Sequence, residues 1–443
     1  MKKRAFIKPV CLLAAALVVA GRAGAQLPQV QLPQLPQVPL PGVQVPGLPE
    51  ATRAVDGTLR ELTGARALRI DQLARQHRTE LDRVQGELVV RAEVVAIDLT
   101  AAALQRALTE KFLLKRTQTL PELGVEISVL QTPEGWSASR GLKRLRKLDP
   151  EGTYDLNHVY LGSGDPNSKT GLAADPPAAP VVPALTGPTP TPSASRRVGL
   201  IDGGVDSAHQ IFNGHKFERF GCDGKVVPNA HGTAVAAILL GHQSVDEIYA
   251  ADVYCGQPAG GAVDAVAAAF AWLARERVAV INVSLVGPRN ALLERVVKIL
   301  VAHGFLVVAA VGNDGPAAPP LYPASYEGVI GVTAVDKNHR VLIEACRGQQ
   351  VDFAAQGADL EAATVAPATY APVRGTSYAA PVIASLLAEL QAPDPADSQR
   401  VLARWTGSAH DLGKRGRDEV YGAGELGGTP SPMARKAAQE TNK

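Results

Sequence analysis

Three separated side chains in this sequence could together activate a nucleophile. Ser377 follows a Gly-Thr pair at the start of an Ala/Leu-rich run that is typical of a helix. Asp202 ends the apolar run 198–201, and His231 opens a second Ala-rich run. A serine hydroxyl is a weak nucleophile near neutral pH, so it needs an adjacent base such as imidazole, which a carboxylate can orient. These residues therefore predict acyl transfer by a serine nucleophile.

The segments that would position these side chains alternate between strand-like and helix-like patterns. Short apolar runs predict strands over 198–201, 248–254, 278–283, 305–311 and 328–335, and Ala/Leu-rich runs predict helices over 231–240, 262–275, 289–302 and 376–391. Such alternation is typical of a parallel sheet covered by helices on both faces. Functional residues of open sheets gather at the carboxyl ends of strands, which is where Asp202 and Asn313 lie.

Four blocks of sequence resemble the subtilisin-like serine proteases, or subtilases. The block 202–209 follows the family pattern around its Asp, and 307–315 is similar to the family's oxyanion strand. Residues 280–285 resemble the strand that pairs with the substrate backbone, and 421–426 resemble the family's closing turn. The chain order Asp, His, Ser is also that of subtilisin. The resemblance covers roughly residues 196–428.

The resemblance implies a fold class and a set of site residues. The fold would be a three-layer α/β domain with a mainly parallel sheet, acting on polypeptide substrates. The implied catalytic residues are Asp202, His231, Ser377 and Asn313, with the Asn313 amide and the Ser377 backbone N–H as oxyanion donors. The implied substrate-binding residues are Ser284, Leu285, Val286, Val311 and Gly312. No metal-binding motif is evident, so no metal ligand and no cofactor are predicted.

The loop after Asn313 bears on the expected substrate preference. It is short and rich in proline, which would bring Pro316, Pro319, Pro320 and Leu321 close to the specificity pocket. A stiff apolar rim of this kind predicts a preference for an uncharged or hydrophobic residue on the acyl side of the scissile bond.

The first 25 residues have the layout of a secretory signal peptide. Cationic residues 1–4 precede an apolar run at 11–20, and the small residues 23–25 predict cleavage after Ala25. A membrane anchor is the alternative, but so short a run does not comfortably span about 30 Å of hydrocarbon. The mature protein is therefore expected to be secreted or periplasmic, with no integral membrane segment.

Three cysteines remain in the mature chain, because Cys11 belongs to the signal peptide. In the subtilase sheet the strands before and after the His helix are parallel neighbours. Cys222 follows the first of these strands and Cys255 ends the second, so the resemblance implies a Cys222–Cys255 disulfide with Cys346 left over. Three buried, unpaired cysteines are the alternative.

The residues around the α/β domain divide by composition. Residues 26–50 are rich in Pro and Gln and predict an extended linker, with a docking segment as the alternative. Residues 51–86 predict a helical segment, and 162–195 predict a proline-rich linker open to proteolytic processing. Residues 429–443 are expected to form a flexible tail.

Residues 87–161 predict a small α+β module. Their strand and helix patterns follow the order β-α-β-β-α-β of a ferredoxin-like unit. A module of this size ahead of the catalytic domain resembles the subtilase propeptide, which implies an intramolecular chaperone and inhibitor that autoprocessing within 162–195 would release. An ordinary accessory domain is the alternative.

Charge and motifs narrow the function further. The 443 residues carry 45 basic and 43 acidic side chains, so the net charge of +2 gives no electrostatic case for nucleic acid as a partner.

The sequence predicts a secreted serine endopeptidase that works through an acyl-enzyme and is made as a self-processed precursor. A catalytically silent interaction protein on the same scaffold is one alternative. An esterase of the α/β-hydrolase type is a second, but the Gly-x-Ser-x-Gly elbow and the order Ser, Asp, His are absent.

Overall fold

A computed structural model describes residues 64, 66–163, 195–241, 245–257, 260–365 and 369–428. The predicted signal peptide, the Pro/Gln-rich linker, most of the linker at 162–195 and the C-terminal tail lie outside these described residues. All described residues belong to one compact unit. Within these ranges, no helix has the length and apolar character needed to cross a membrane.

The N-terminal module (residues 66–163) is built on an antiparallel sheet. Its elements in chain order are helix α1 (66–76), β1 (Leu81–Val84), β2 (Glu87–Ile97), α2 (Ala101–Thr109), β3 (Leu113–Leu120), β4 (Val125–Gln131), α3 (Ala138–Leu148) and β5 (Thr153–His158). The sheet order β3-β4-β2-β5 is that of a ferredoxin-like fold, and β1 pairs with the first part of β2. Thr100 and Ser137 cap the two helices by accepting backbone N–H groups of their first turns.

The helix predicted over 51–86 is wrong at its C-terminal end. The described part is helical over 66–76, and Leu81 and Val84 lie in strand β1. Gln85 and Gly86 both have positive φ, 53° and 91°, and form the tight turn of a hairpin that returns along β2. Leu81 is buried there, so tertiary pairing overrides the helical spacing of the leucines.

The C-terminal domain (residues 195–428) contains a seven-stranded parallel sheet. Its strands are β7 (Arg197–Asp202), β8 (Lys216–Phe220), β9 (Glu247–Asp252), β10 (Val280–Val283), β12 (Leu306–Ala310), β13 (Ile330–Val335) and β14 (Phe353–Gln356). They lie in the order β14-β13-β12-β10-β7-β9-β8. The parallel register of neighbouring strands brings their carboxyl ends to one edge of the sheet.

Helices cover both faces of this sheet. They are α4 (Ala230–Gly241), α5 (Val263–Arg275), α6 (Ala291–Ala302), α7 (Thr376–Leu387) and α8 (Pro395–Ser408). Helices α4 and α7 contribute to one buried apolar cluster, and α5 and α6 to the other. Adjacent residues of β10 alternate between the two clusters, Val280 in the first and Ile281 in the second. The domain is therefore a three-layer α/β fold, as the sequence predicted.

Candidate active site

Asp202 and His231 form a buried pair at the carboxyl edge of the sheet. Asp202 is the last residue of β7, and His231 lies in the first turn of α4. The His231 Nδ1–H donates to both carboxylate oxygens of Asp202, at 2.8 and 2.9 Å. A carboxylate only accepts hydrogen bonds, so this pairing puts the proton on Nδ1 and leaves Nε2 as the basic nitrogen. That Nε2 is buried and has no hydrogen-bond partner among the described residues.

Ser377 lies at the start of α7 and is fully buried. Its hydroxyl donates to the Ser284 carbonyl oxygen at 3.0 Å, and the Ser284 hydroxyl donates back to the Ser377 carbonyl oxygen at 2.9 Å. The neighbouring ring of Tyr378 lies 5.7 Å from the His231 ring, centroid to centroid. The hydroxyl thus points towards Ser284 in this conformation, while the imidazole base lies beside the same helix turn.

Asn313 stands at the end of β12, against the first turn of α7. Its side-chain oxygen accepts the backbone N–H of Thr376 at 3.1 Å. The Thr376 hydroxyl in turn accepts the Gly312 backbone N–H at 3.2 Å. Since the amide oxygen is engaged, the amide NH₂ group of Asn313 is the part left to donate. The Ser377 N–H belongs to the first turn of its helix, where N–H groups have no partner within the helix.

Residues 159–163, here called the docked segment, run through this site as an added strand. Strand β6 (Leu161–Gly162) pairs antiparallel with β11 (Leu285–Val286), with Gly162 opposite Leu285. On the other side the Tyr160 N–H donates to the Gly261 carbonyl oxygen at 2.8 Å. The predicted substrate-binding residues Leu285 and Val286 therefore pair with the molecule's own chain.

The docked segment reaches the nucleophile. The Ser163 N–H donates to the Ser284 carbonyl oxygen at 3.2 Å, and the Ser163 hydroxyl contacts the Ser377 hydroxyl. Gly162 lies over the His231 ring, so the segment covers both the base and the nucleophile. Tyr160, Gly162 and Ser163 belong to no motif of the sequence, since no pattern in a sequence shows where a linker docks.

The N-terminal module is held on α5 by a charged cluster. Arg116 of β3 donates from Nε to Asp264 Oδ2 at 2.9 Å, in the first turn of α5. Arg116 and Lys115 also donate to the buried carboxylate of Glu93. Burial favours a raised pKa for Glu93, but the hydrogen bonds from Arg116 and Lys115 outweigh it, so the pKa lies below its usual value.

A second set of contacts holds the module on the start of α6. The Asp155 carboxylate accepts the Ala291 backbone N–H at 2.9 Å, and the Tyr160 hydroxyl donates to the Pro288 carbonyl oxygen at 2.7 Å. The Asn290 amide donates to His158 Nδ1 at 2.9 Å. Burial lowers the pKa of His158, and Asp155 and Glu87 partly oppose that shift.

Helix α1 also reaches the site. Arg66 donates to Asp314 Oδ2 at 3.3 Å and pairs with Glu87 of β2. Asp314 directly follows Asn313, so this ion pair lies beside the predicted oxyanion donor. Burial raises the pKa of Asp314, and the Arg66 guanidinium opposes the rise. No feature of the sequence links these two residues, which are 248 positions apart.

The cysteines lie behind the site. Cys222 and Cys255 form a disulfide with an S–S distance of 2.14 Å, which joins the ends of β8 and β9. Both sulfurs lie near Asp252, the strand neighbour of Asp202, but a disulfide offers no thiolate for a metal ion. Cys346 is free, and burial raises the pKa of its thiol to about 12, so the thiolate form is scarce at neutral pH.

An Asp-His pair and a helix-start serine at the carboxyl edge of a parallel sheet are the arrangement expected of a serine hydrolase. Residues 195–424 match the model of the subtilase family, Peptidase_S8, and the chain belongs to that family. It is a serine-type endopeptidase.

Relatives extend the comparison beyond that domain. The chain is 31% identical over 207 residues to the minor extracellular protease Epr of Bacillus subtilis (strain 168), which covers 44% of the chain and about a third (32%) of that relative. It is 30% identical over 349 residues to an alkaline protease of Shouchella clausii, which covers 75% of the chain and 84% of that protease. This second alignment is longer than residues 195–443 and so includes part of the region before them.

Among solved structures, fervidolysin from Fervidobacterium pennivorans, a keratinolytic enzyme related to subtilisin, superposes with a TM-score of 0.60. The match covers 78% of this chain and 61% of that one at 18% sequence identity. At that identity the match supports the fold alone.

Proposed function

We propose that this chain is the precursor of a secreted serine endopeptidase that cuts itself behind the N-terminal module. Asp202, His231 and Ser377 would be the catalytic triad. The observation that carries the proposal is the docked segment, which pairs with the strand at 285–286 as a bound peptide would and ends against Ser377. The bond that follows Ser163 is the one we propose is cleaved.

The chemistry would run through an acyl-enzyme. The Ser377 hydroxyl turns from Ser284 towards His231, gives its proton to Nε2, and attacks the carbonyl carbon of the residue before the scissile bond. The Asn313 amide and the Ser377 N–H would stabilise the oxyanion. His231 then returns the proton to the leaving amine as the peptide C–N bond breaks, and the C-terminal fragment of the substrate departs. Water, activated by the same imidazole, hydrolyses the remaining ester.

The N-terminal module would serve as the enzyme's own inhibitor until it is released. The docked segment at its C-terminal end covers the base and the nucleophile, and the exposed fraction of Ser377 is 0% in this arrangement. The Arg116–Asp264 ion pair on α5 and hydrogen bonds on the start of α6 hold the module in that position. These interactions would also let the module support folding of the domain, which is the role implied for a subtilase propeptide.

Two features support a location outside the cytoplasm. Residues 1–25 have the layout of a signal peptide. The Cys222–Cys255 disulfide also persists best in an oxidising compartment. We therefore propose secretion or periplasmic residence for the mature enzyme.

Expression of the full chain with and without Ser377→Ala tests the proposal. The parent is expected to yield two fragments, and the Ser377→Ala chain is expected to stay intact, as measured by intact mass. Ser408→Ala, which alters an exposed serine of α8, is the matched control and should process like the parent. Equal cutting of the parent and Ser377→Ala would show that another protease makes the cut, and a parent that stays whole would contradict self-processing.

A further inference from the structure

We propose that this enzyme cleaves after small residues, because its own side chains fill the acyl-side pocket. By acyl-side pocket we mean the space that receives the side chain of the residue before the scissile bond. The proposal names Leu321 as the specificity-determining residue. It rests on the proposed function, and it narrows the substrate class of the same site to peptides with Gly, Ala or Ser before the cut.

The docked segment locates this pocket. The ring of His231 lies on the side of the segment where a Gly162 side chain would be. Side chains alternate along an extended chain, so the Cα–Cβ bond of Ser163 is directed to the opposite side. The Ser163 hydroxyl itself contacts the Ser377 hydroxyl, so it is a larger side chain at this position that would extend into the pocket. The Ser163 N–H donates to the Ser284 carbonyl oxygen, which places this residue next to the chain that follows β10.

Two chain segments form the walls of the pocket. Strands β10 and β12 are parallel neighbours, with Val283 opposite Ala309. Residues 284–286 follow β10 and residues 311–312 follow β12, so both segments lie at the same edge of the sheet. The side chains of Val286 and Val311 are both buried, and they belong to one apolar cluster.

Leu321 and Cys346 close the space between these walls. Both belong to the same cluster as Val286, and Leu321 is 5% exposed. A Cβ atom added at Gly312 would lie 2.5 Å from Leu321 Cδ1 and 3.3 Å from Cys346 Sγ. The side chains of Leu321 and Cys346 therefore pack directly against the backbone of Gly312, without room there for one methyl group.

The backbone holds Leu321 in this position. Its neighbour Tyr322 exchanges two hydrogen bonds with Gly287, each 2.9 Å long, which ties the loop to the opposite wall. The Cys346 N–H donates to the Gly312 carbonyl oxygen at 3.0 Å. A large side chain before the scissile bond would have to displace Leu321 from a packed cluster whose backbone is fixed on both sides.

This geometry narrows the preference predicted from the sequence. The apolar rim favoured an uncharged or hydrophobic residue, whereas Leu321, packed against Gly312, would fill the space that a large residue needs. One methylene group in a hydrophobic pocket changes kcat/KM by roughly 10–200-fold. Ser163, the residue before the proposed self-cleavage site, is small enough to fit.

Peptides that differ only at the residue before the cleaved bond test the proposal. With processed enzyme from the full chain, kcat/KM is expected to be at least roughly tenfold higher for Ala and Ser than for Phe and Leu. Leu321→Gly should bring Phe and Leu up to or above Ala, while activity on Ala peptides persists as evidence of a folded enzyme. Leu402→Ala, a truncation in the other apolar cluster, is the control and should keep the parent's preference.

The outcomes separate the two proposals. A parent that cleaves no peptide contradicts the proposed function, whereas a parent that prefers Phe or Leu overturns only the inference about Leu321. If Leu321→Gly loses activity on every peptide, Leu321→Ala and Val286→Gly provide milder ways to open the pocket. Failure of all active variants to gain activity on Phe and Leu peptides overturns the inference.

Discussion

The backbone of Gly162 lies directly over the ring of His231. A Cβ atom at position 162 would come within 3.2 Å of the ring atoms Cδ2, Cε1 and Nε2. A side chain at the second residue before the proposed cleavage site would therefore contact the atom that would accept the nucleophile's proton. The same contact explains why the module shields the base from solvent.

Gly162→Val is expected to slow self-processing. A branched side chain has to push the docked segment away from the imidazole, and small misplacement of a reacting group costs roughly 10²-fold in rate. The rate of fragment appearance after refolding measures the effect. Gly407→Ala, where an added Cβ meets no atom within 4 Å, is the control. Processing of Gly162→Val at the parent's rate would contradict the position assigned to the segment.

Asn313→Ala is expected to lower kcat on peptides by about 10²–10³-fold with a small change in KM, as loss of such a donor does in subtilisin, a relative of this chain. The reason is that the amide would bind the oxyanion that exists only during the reaction. Steady-state kinetics of the processed enzyme measures kcat and KM. Asn338→Ala, an exposed turn residue, should behave like the parent. A change confined to KM would contradict the oxyanion role.

Acidification is expected to weaken docking of the module through His158. Burial lowers the pKa of His158 in the docked state, whereas an unfolded histidine titrates near 6.5. The docked state therefore binds fewer protons, so its stability is full above about pH 6.5 and falls as the pH drops from there towards the lowered pKa. Protonation also removes the lone pair that accepts the Asn290 amide.

Urea unfolding of the uncut Ser377→Ala chain between pH 7.5 and 5 measures this effect. His158→Asn in that background keeps an acceptor but does not titrate, and it should lose stability less steeply on acidification. Asp155 and Glu87, which face His158, are present in both proteins, so the difference between the two pH profiles isolates the histidine. Identical pH profiles would contradict the prediction.

Arg66→Ala is expected to destabilise the precursor. The change leaves the partly buried carboxylates of Asp314 and Glu87 without their cation, and hydrogen bonds to charged groups are worth about 1.5–3 kcal/mol. Urea unfolding of the Ser377→Ala background measures the loss. Arg75→Ala removes an exposed arginine from the same helix and should have little effect. Equal free energies of unfolding for the two variants would show that the Arg66 ion pair does not hold α1 on the domain.

Periodicity in the sequence is strong enough to predict most of the α/β domain. Buried parallel strands are short apolar runs, and the helices between them are rich in Ala and Leu, so β7, β9, β10, β12 and β13 and helices α4 to α7 lie where the sequence predicted them within a few residues. Strand β14 and helix α8 were not predicted. The first has four residues, and the second has only one buried side chain, Ser398, so neither carries a clear apolar pattern.

Residues of the site were predictable only where they lie in motifs. Asp202, His231 and Ser377 each stand next to small residues in a recognisable block. The docked segment lies outside any such block, because its position depends on contacts made after the module folds onto α5 and α6. The pairing of Arg66 with Asp314 and the packing of Leu321 against Gly312 are likewise set by tertiary structure.

The mass of the released N-terminal fragment tests the central claim most directly. If the docked segment is held as a substrate, the full chain should release a fragment whose last residue is Ser163, and His231→Ala and Ser377→Ala should both abolish its release. A fragment that ends many residues away from Ser163, or one that still forms in both variants, would contradict the claim that this site cleaves its own chain.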